Sequence, residues 1–215
     1  MTTSSPSLLE ALAAQTQATA NLIRVCLALE WTVFSRSMMS VVTIAFFYLV
    51  YLIFTLRNVR QPLTVWEKLG KPVIKPFRPW VYSFLLGKSD PYANSIDMRV
   101  STLSRGFCTA IMRDRHRNRN PFKSIHATAL ATFAETVGGL ALMSQFKRRD
   151  RAILVSLSVK YLKKARGLLT ASSEYTLEKD LTGSHEIQTE VIIKDRMLDT
   201  VAKMTLNWKI DVQES

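Results

Sequence analysis

The run Ser37 to Leu56 (SMMSVVTIAFFYLVYLIFTL) is apolar at sixteen of twenty positions and carries no charge. A helix of that length rises about 30 Å, the thickness of a bilayer's hydrocarbon core, so the run predicts a transmembrane helix. Tyr48 and Tyr51 lie inside it, each hydroxyl needing a partner or an interfacial position, and Arg57 and Arg60 end it. A buried helix of a soluble core would carry the same pattern and stays open as the alternative. The run starts too late and is too long for a cleaved signal peptide. Ahead of it, residues 7–33 place Leu8, Leu9, Leu12, Leu22, Ile23, Val25, Leu27 and Leu29 in an amphipathic pattern. This predicts a second helix lying on the membrane or against the rest of the chain.

A different pattern fills the second half. Ser124 to Phe146 is helix-like in length and in Ala/Leu content, and Glu135 is its only charged residue. At 21% charged residues overall, a stretch of this length would carry about five charges at average usage. At 100° per residue His126, Leu130, Phe133, Val137, Leu140 and Ala141 share one face. Thr128, Ala131, Thr132, Glu135, Gly138, Gly139 and Leu142 share the other. A helix without a polar face is buried on all sides, which would make Glu135 a buried carboxylate, costly unless paired or functional. A satisfied carboxylate or a cap for a neighbouring segment is the competing reading.

Four segments with period-two alternation follow: Ala152–Tyr161, Leu168–Leu177, Glu186–Lys194 and Thr200–Val212. Turn-type residues between them predict an antiparallel meander, with one further strand within Met98–Met112. A single apolar helix beside such a sheet has to be wrapped by it. The expected class is α+β, an antiparallel sheet around one long central helix, preceded by a transmembrane helix.

Between anchor and sheet, residues 58–95 are punctuated by Pro62, Pro72, Pro76, Pro79 and Pro91, with Trp66, Trp80, Tyr82 and Phe84 among Lys68, Lys71, Lys75 and Arg78. Aromatics with cations beside a bilayer fit an interfacial segment, and a solvated linker fits equally. The predicted organisation is a segment 1–36, an anchor 37–57, a linker 58–95 and a folded domain 96–213.

Charge sharpens this division. The chain has 29 Lys and Arg against 17 Asp and Glu, a net +12, and all of that excess falls after residue 56. A neutral front and a basic body suit an anchored domain facing something anionic, and the positive-inside bias puts the body on the cytosolic or matrix side of a membrane. The organelle is unknown from sequence; a mitochondrion is compatible, although Glu10 and scarce early arginines make a poor transit peptide. Two cysteines, Cys26 and Cys108, make neither a disulfide framework nor a Cys-rich zinc site, and three scattered histidines predict no metal. Both cysteines read as inert small hydrophobes. No nucleic-acid-binding module is recognisable.

The motif Asn120-Pro121-Phe122, then His126-Ala127, then Ala134-Glu135-Thr136 resembles that of the hotdog-fold acyl-CoA thioesterases, in which a curved antiparallel sheet wraps a central helix. Tyr161-Leu162 with Ala165 and Gly167 resembles the strand and turn that follow in that family. The likeness spans roughly residues 96–213, and within the superfamily the chain resembles the poorly characterised thioesterase-like proteins, including forms with membrane-tethered N-termini. Where the family has Gly-Gly after the histidine, this chain has Ala127-Thr128.

The resemblance implies a thioester hydrolase acting on acyl-CoA or a related thioester, with coenzyme A as part of the substrate and no separate cofactor. Glu135 would activate water as general base or attack the carbonyl. Backbone N–H groups near His126 and Ala127 would hold the oxyanion, and His126 and Asn120 would orient substrate or water. Residues 126 and 135 are nine apart, about 13.5 Å along a helix and on opposite faces. One helix would then not serve one thioester, whereas two helices side by side in a homodimer would, the small residues around Glu135 allowing close approach. Arg115, Arg117, Arg119, Lys163, Lys164 and Arg166 would bind the coenzyme A phosphates; a solvated loop or contact with anionic lipid is the alternative. The rival function is a catalytically silent hotdog domain that binds acyl groups or lipids, or scaffolds a membrane complex, which Ala127 favours.

Overall fold

The structure is a computed structural model, which describes residues 8–28, 32–56, 61–72, 74–178 and 181–213. The chain divides into two compact units, residues 1–57 and 58–215.

The first unit is two helices, α1 (Leu8–Ala28) and α2 (Val33–Leu56). Val33–Tyr51 within α2 is long and apolar enough to cross a membrane. Phe46, Phe47, Ile44 and Leu49 are exposed along it. Two of its hydroxyls are satisfied within the helix: Ser37 and Ser40 each donate to a carbonyl four residues back at 2.9 Å, which removes their cost in an apolar medium. The α1 leucines Leu8, Leu9, Leu12 and Leu22 are likewise exposed. Arg57 and Arg60, which end the apolar run, lie outside the described residues.

The second unit opens with three short helices, α3 (Pro62–Lys68), α4 (Arg78–Ser89) and α5 (Pro91–Ser95). Three of the five prolines that punctuate this segment, Pro62, Pro79 and Pro91, start these helices at their first or second position, where a missing N–H costs nothing. Asp90 caps α5, its Oδ1 accepting the Ala93 N–H at 3.0 Å. The aromatics divide between two surroundings. Trp66 and Tyr82 are buried edge to face at 5.1 Å with the Arg78 guanidinium 4.7 Å over the Trp66 ring, whereas Trp80 and Phe84 stay exposed.

Two strands, β1 (Arg99–Ser104) and β2 (Phe107–Arg113), stand where one was expected. They form a hairpin that turns at Gly106, whose φ of +77° and closeness to the Tyr175 carbonyl leave no room for a Cβ. The turn was hidden because Arg105-Gly106 is its only signal within a run of alternating residues. After a loop comes α6 (Ala127–Met143), then β3 (Arg151–Tyr161), β4 (Leu168–Glu174), β5 (Gly183–Lys194) and β6 (Thr200–Val212).

All strands pair antiparallel in the order β1-β2-β4-β5-β6-β3. The expected four-strand meander is therefore corrected. Strands β4, β5 and β6 follow one another, but β3 lies at the far edge beside β6, and β2 takes its place next to β4. Period-two patterning identifies strands without naming their neighbours. Helix α6 touches all six strands. Six strands at about 4.8 Å spacing are more than twice as wide as a helix, so the sheet has to curl around it. Phe133, Val137 and Leu142 on the helix and Val191, Met204 and Leu206 on the sheet are fully buried.

Candidate active site

The exposed stripe of α6 and the loop before it gather the residues singled out in the sequence. Asn118, buried, fixes that loop from within: its Nδ2 donates to the carbonyls of Ile96 at 3.0 Å and Arg113 at 3.3 Å, and its own carbonyl accepts the His126 N–H at 2.6 Å. Asn120 Oδ1 accepts three donors, the N–H of Phe122 at 3.0 Å, the N–H of Ser124 at 3.2 Å and the Ser124 hydroxyl at 3.1 Å. Lys123 takes a left-handed φ of 57° to close this turn. The Asn120 oxygen thus shapes the loop.

His126 caps α6 from an extended conformation, φ −64° and ψ 141°. Its Nδ1 accepts the Thr128 N–H at 3.2 Å and lies 2.7 Å from the Thr128 hydroxyl. A backbone N–H can only donate, so Nδ1 is the acceptor and the neutral ring carries its proton on Nε2, a donor. His126, Arg117, Tyr92 and Thr132 line a cleft of about 390 Å³. A neighbouring cleft of about 380 Å³ is lined by Glu135, Asp90, Met143 and Trp208, and again by Tyr92 and Thr132. His126 and Glu135 therefore open onto adjoining clefts on one side of α6, which corrects the expectation of opposite faces. The N-cap precedes the helix, and its extended backbone takes His126 off the helical wheel.

Glu135 is exposed, not buried as its helix pattern suggested. The sheet covers α6 on one side only, and the short helices leave the stripe with Ala127, Thr128 and Glu135 open to solvent. The cleft walls still strip part of its water. That desolvation, with the Asp90 carboxylate as a second cause, raises the Glu135 pKa above its ordinary value. The small residues beside it have another task than admitting a second helix. A Cβ on Gly138 would run into Leu206 Cδ1 and stand 3.0 Å from Val191, so this glycine seats α6 on its own sheet; one on Gly139 would press on Met143 and Trp208 at 3.3 Å.

Ala127, the first residue of α6, has an N–H with no acceptor among the described residues. It belongs to a third cleft of about 330 Å³ with Asn120, Tyr161, Lys163 and Lys164, and the Tyr161 hydroxyl donates to its carbonyl at 3.1 Å. A Cβ at residue 127 does not prevent the helix from starting there.

The six cations assigned to phosphates surround this end of α6, three of them in ion pairs. Arg115 pairs with Asp97, Arg119 with Asp114 at 2.6 Å, and Lys163 with Asp195 at 2.6 Å and Asp199 at 2.7 Å. Burial works against the Asp114 charge, but hydrogen bonds from Arg119 and Gly167 and the charges of Arg119 and Arg166 hold its carboxyl below the ordinary range. Arg117 and Lys164 line clefts instead. Asn118, Tyr92 and Asp90 were missed in the sequence. Asp90-Pro91 is a legible helix start, but nothing in it says that the carboxylate faces Glu135. Among the described residues no cluster of His, Cys, Asp and Glu could hold a metal.

No curated protein matches the chain in sequence. Solved structures match its fold. A structural-genomics protein superposes with a TM-score of 0.58 at 22% identity, over 70% of this chain and 96% of its own. A Pseudomonas aeruginosa protein described as a probable thioesterase gives 0.54 at 20% identity, over 59% and 91%. A Haemophilus influenzae thioesterase gives 0.52 at 17% identity, over 59% and 87%. The antiparallel sheet around α6 is the hotdog-like fold of these proteins. A family model described as a domain of unknown function, DUF4442, matches residues 78–210, and the chain belongs to that family.

Proposed function

We propose that the protein is a membrane-tethered hydrolase of acyl-CoA or a related acyl thioester. The observation that carries this reading is Glu135, a carboxylate of raised pKa in a cleft beside the His126-capped start of α6, on a fold that named thioesterases share. A base whose pKa is raised has a greater affinity for the proton it takes. Glu135 takes a proton from water as that water attacks the thioester carbonyl. The Ala127 N–H and the His126 Nε2–H are the donors for the oxyanion; collapse of the tetrahedral intermediate breaks the C–S bond, and the proton that Glu135 took from water passes to the departing sulfur, giving the thiol and the carboxylic acid. Asn120 holds the loop that presents them.

Residues 127 and 135 are about 12 Å apart along the helix axis, so a site that uses both takes one from each of two copies. The strand β3 is the surface for that contact. Among the described residues it pairs with β6 alone, and it exposes Ile153, Val155 and Tyr161, with exposed Leu162 just beyond its end, an apolar edge of the kind proteins cover. A second copy adding its own β3 would continue the sheet. Helix α2 would hold the dimer in a bilayer, into which long acyl chains partition, with the body on the cytosolic or matrix side.

The other reading is a silent acyl- or lipid-binding module. It draws on the Asn120 oxygen being committed to its loop and on Glu135 being open to solvent in the single chain. Hydrolysis of an acyl-CoA chain-length series by the full-length protein in detergent, compared with Glu135→Gln, decides between them. Turnover lost in the variant supports the hydrolase; no turnover by either protein at any chain length supports the silent module.

A further inference from the structure

The turn from α6 to β3 reads Lys147-Arg148-Arg149-Asp150-Arg151. It borders a cleft of about 830 Å³, more than twice the volume of the one at Glu135, which Gln61, Asp211 and Gln213 complete. The rim is fixed by the Gln61 amide, which donates to the Phe146 carbonyl at 3.0 Å. Both carboxylates here are already engaged. Asp150 accepts the N–H of Lys147 at 2.7 Å and of Gln213 at 3.1 Å, and Asp211 accepts the Gln213 amide at 3.1 Å. Arg151 stands opposite Asp211 in the β3–β6 register, yet neither it nor Arg148 or Arg149 makes an ion pair among the described residues.

Three guanidiniums in one concave wall without a carboxylate partner are mutually repulsive, and they focus positive potential into the cleft. Attraction to the helix C-terminus does not account for them. That effect fades within the last turn, and Arg148 lies five residues beyond Met143, where α6 ends. A solvated patch of mixed charge would not need three arginines; a planar fork that binds two oxygens at once matches phosphate geometry.

We propose that this cleft is a phosphate-binding site in which Arg148, Arg149 and Arg151 are the ligands. Two sources supply such a group. One is the nucleotide end of coenzyme A, a source that rests on the hydrolase reading. Met143 lines both this cleft and the Glu135 cleft, about 12 Å along α6 from Glu135, so one extended thioester carrier can lie across both. The other is a phospholipid headgroup.

The test uses the full chain in neutral detergent and two probes, adenosine 3′,5′-bisphosphate and dihexanoyl phosphatidic acid, with dihexanoyl phosphatidylcholine as control, titrated by calorimetry. In R148Q/R149Q, binding should weaken by about tenfold per arginine removed, the worth of one charge-assisted hydrogen bond. R148K/R149K, which keeps the charge and loses the fork, should fall between, with the melting temperature unchanged in both variants. Loss for the bisphosphate assigns the nucleotide source, and loss for phosphatidic acid alone assigns the headgroup. Binding of both probes that is absent in the native chain, or unchanged in R148Q/R149Q, overturns the site. Bisphosphate binding is read without turnover, so failure of the hydrolase reading leaves this result standing.

Discussion

At the N-terminal end of α6, Arg115, Arg119 and Lys163 each hold a carboxylate, Lys163 two of them. At its C-terminal end, Arg148, Arg149 and Arg151 hold none among the described residues, and the two nearby acids are tied to backbone and amide donors. In sequence the clusters look alike, short runs rich in arginine. In the structure half of the first cluster is held in ion pairs that tie loops together, and the other is an open positive wall. A run of cations is not yet an anion site; what matters is whether the fold brings acids to it.

This contrast can be broken by experiment, beginning where the effect is largest. Glu135→Gln should lower kcat by about 10²- to 10⁴-fold, the usual worth of a general base, in a steady-state assay on acyl-CoA, while phosphate binding at the far end stays as in the native chain. An undiminished kcat would remove Glu135 from the chemistry. Gly138→Ala should cost about 1–3 kcal/mol as an overpacked core, seen as a lower urea midpoint, because its Cβ has to displace Leu206. Equal stability would mean that the helix and sheet are not seated as closely as described.

The acid–base contrast is finer. Because the Glu135 pKa is raised, by desolvation first and Asp90 second, the acid limb of kcat/KM should lie above the ordinary glutamate value of about 4.3. Asp90→Asn removes a neighbouring negative charge, makes Glu135 easier to ionise, and should move that limb to lower pH. A limb that stays in place or moves up would remove Asp90 from the site. The smallest effects belong to the paired cations. Arg119→Gln and Lys163→Gln should each change bisphosphate affinity by less than about twofold, since their charge is already matched by carboxylates and exposed pairs of this kind are screened by solvent. A tenfold loss in either would move the phosphate site to the start of α6.

Much of the fold was legible before any coordinates. Four post-helix strands fell where period two put them, with β6 (Thr200–Val212) matched at both ends. The run Ser124–Phe146 contains α6, trimmed to Ala127–Met143 by the His126 cap and the Ser144 C-cap. The hairpin at Gly106 was not legible, nor was the placement of β3 at the edge, since alternation marks a strand and leaves its neighbours open. Glu135 stood out because it is the one charge in an apolar helix. That it faces solvent and Asp90 was out of reach, because the covering of the helix by α5 comes from a segment thirty-odd residues away.

Local chemistry lay in the order of residues: where apolar periods change from 3.6 to 2, where a proline starts a helix, which carboxylate is isolated, and which run is greasy enough for a bilayer. These depend on neighbours a few positions apart, and chain order carries that information whole. Pairing across distance was settled by folding alone. It matched Lys163 with Asp195 and Asp199, set Tyr92 and Thr132 between His126 and Glu135, and left Arg148, Arg149 and Arg151 facing an open cleft. Such partners are chosen by sheet order and loop geometry, which sum over the whole chain and have no local signature.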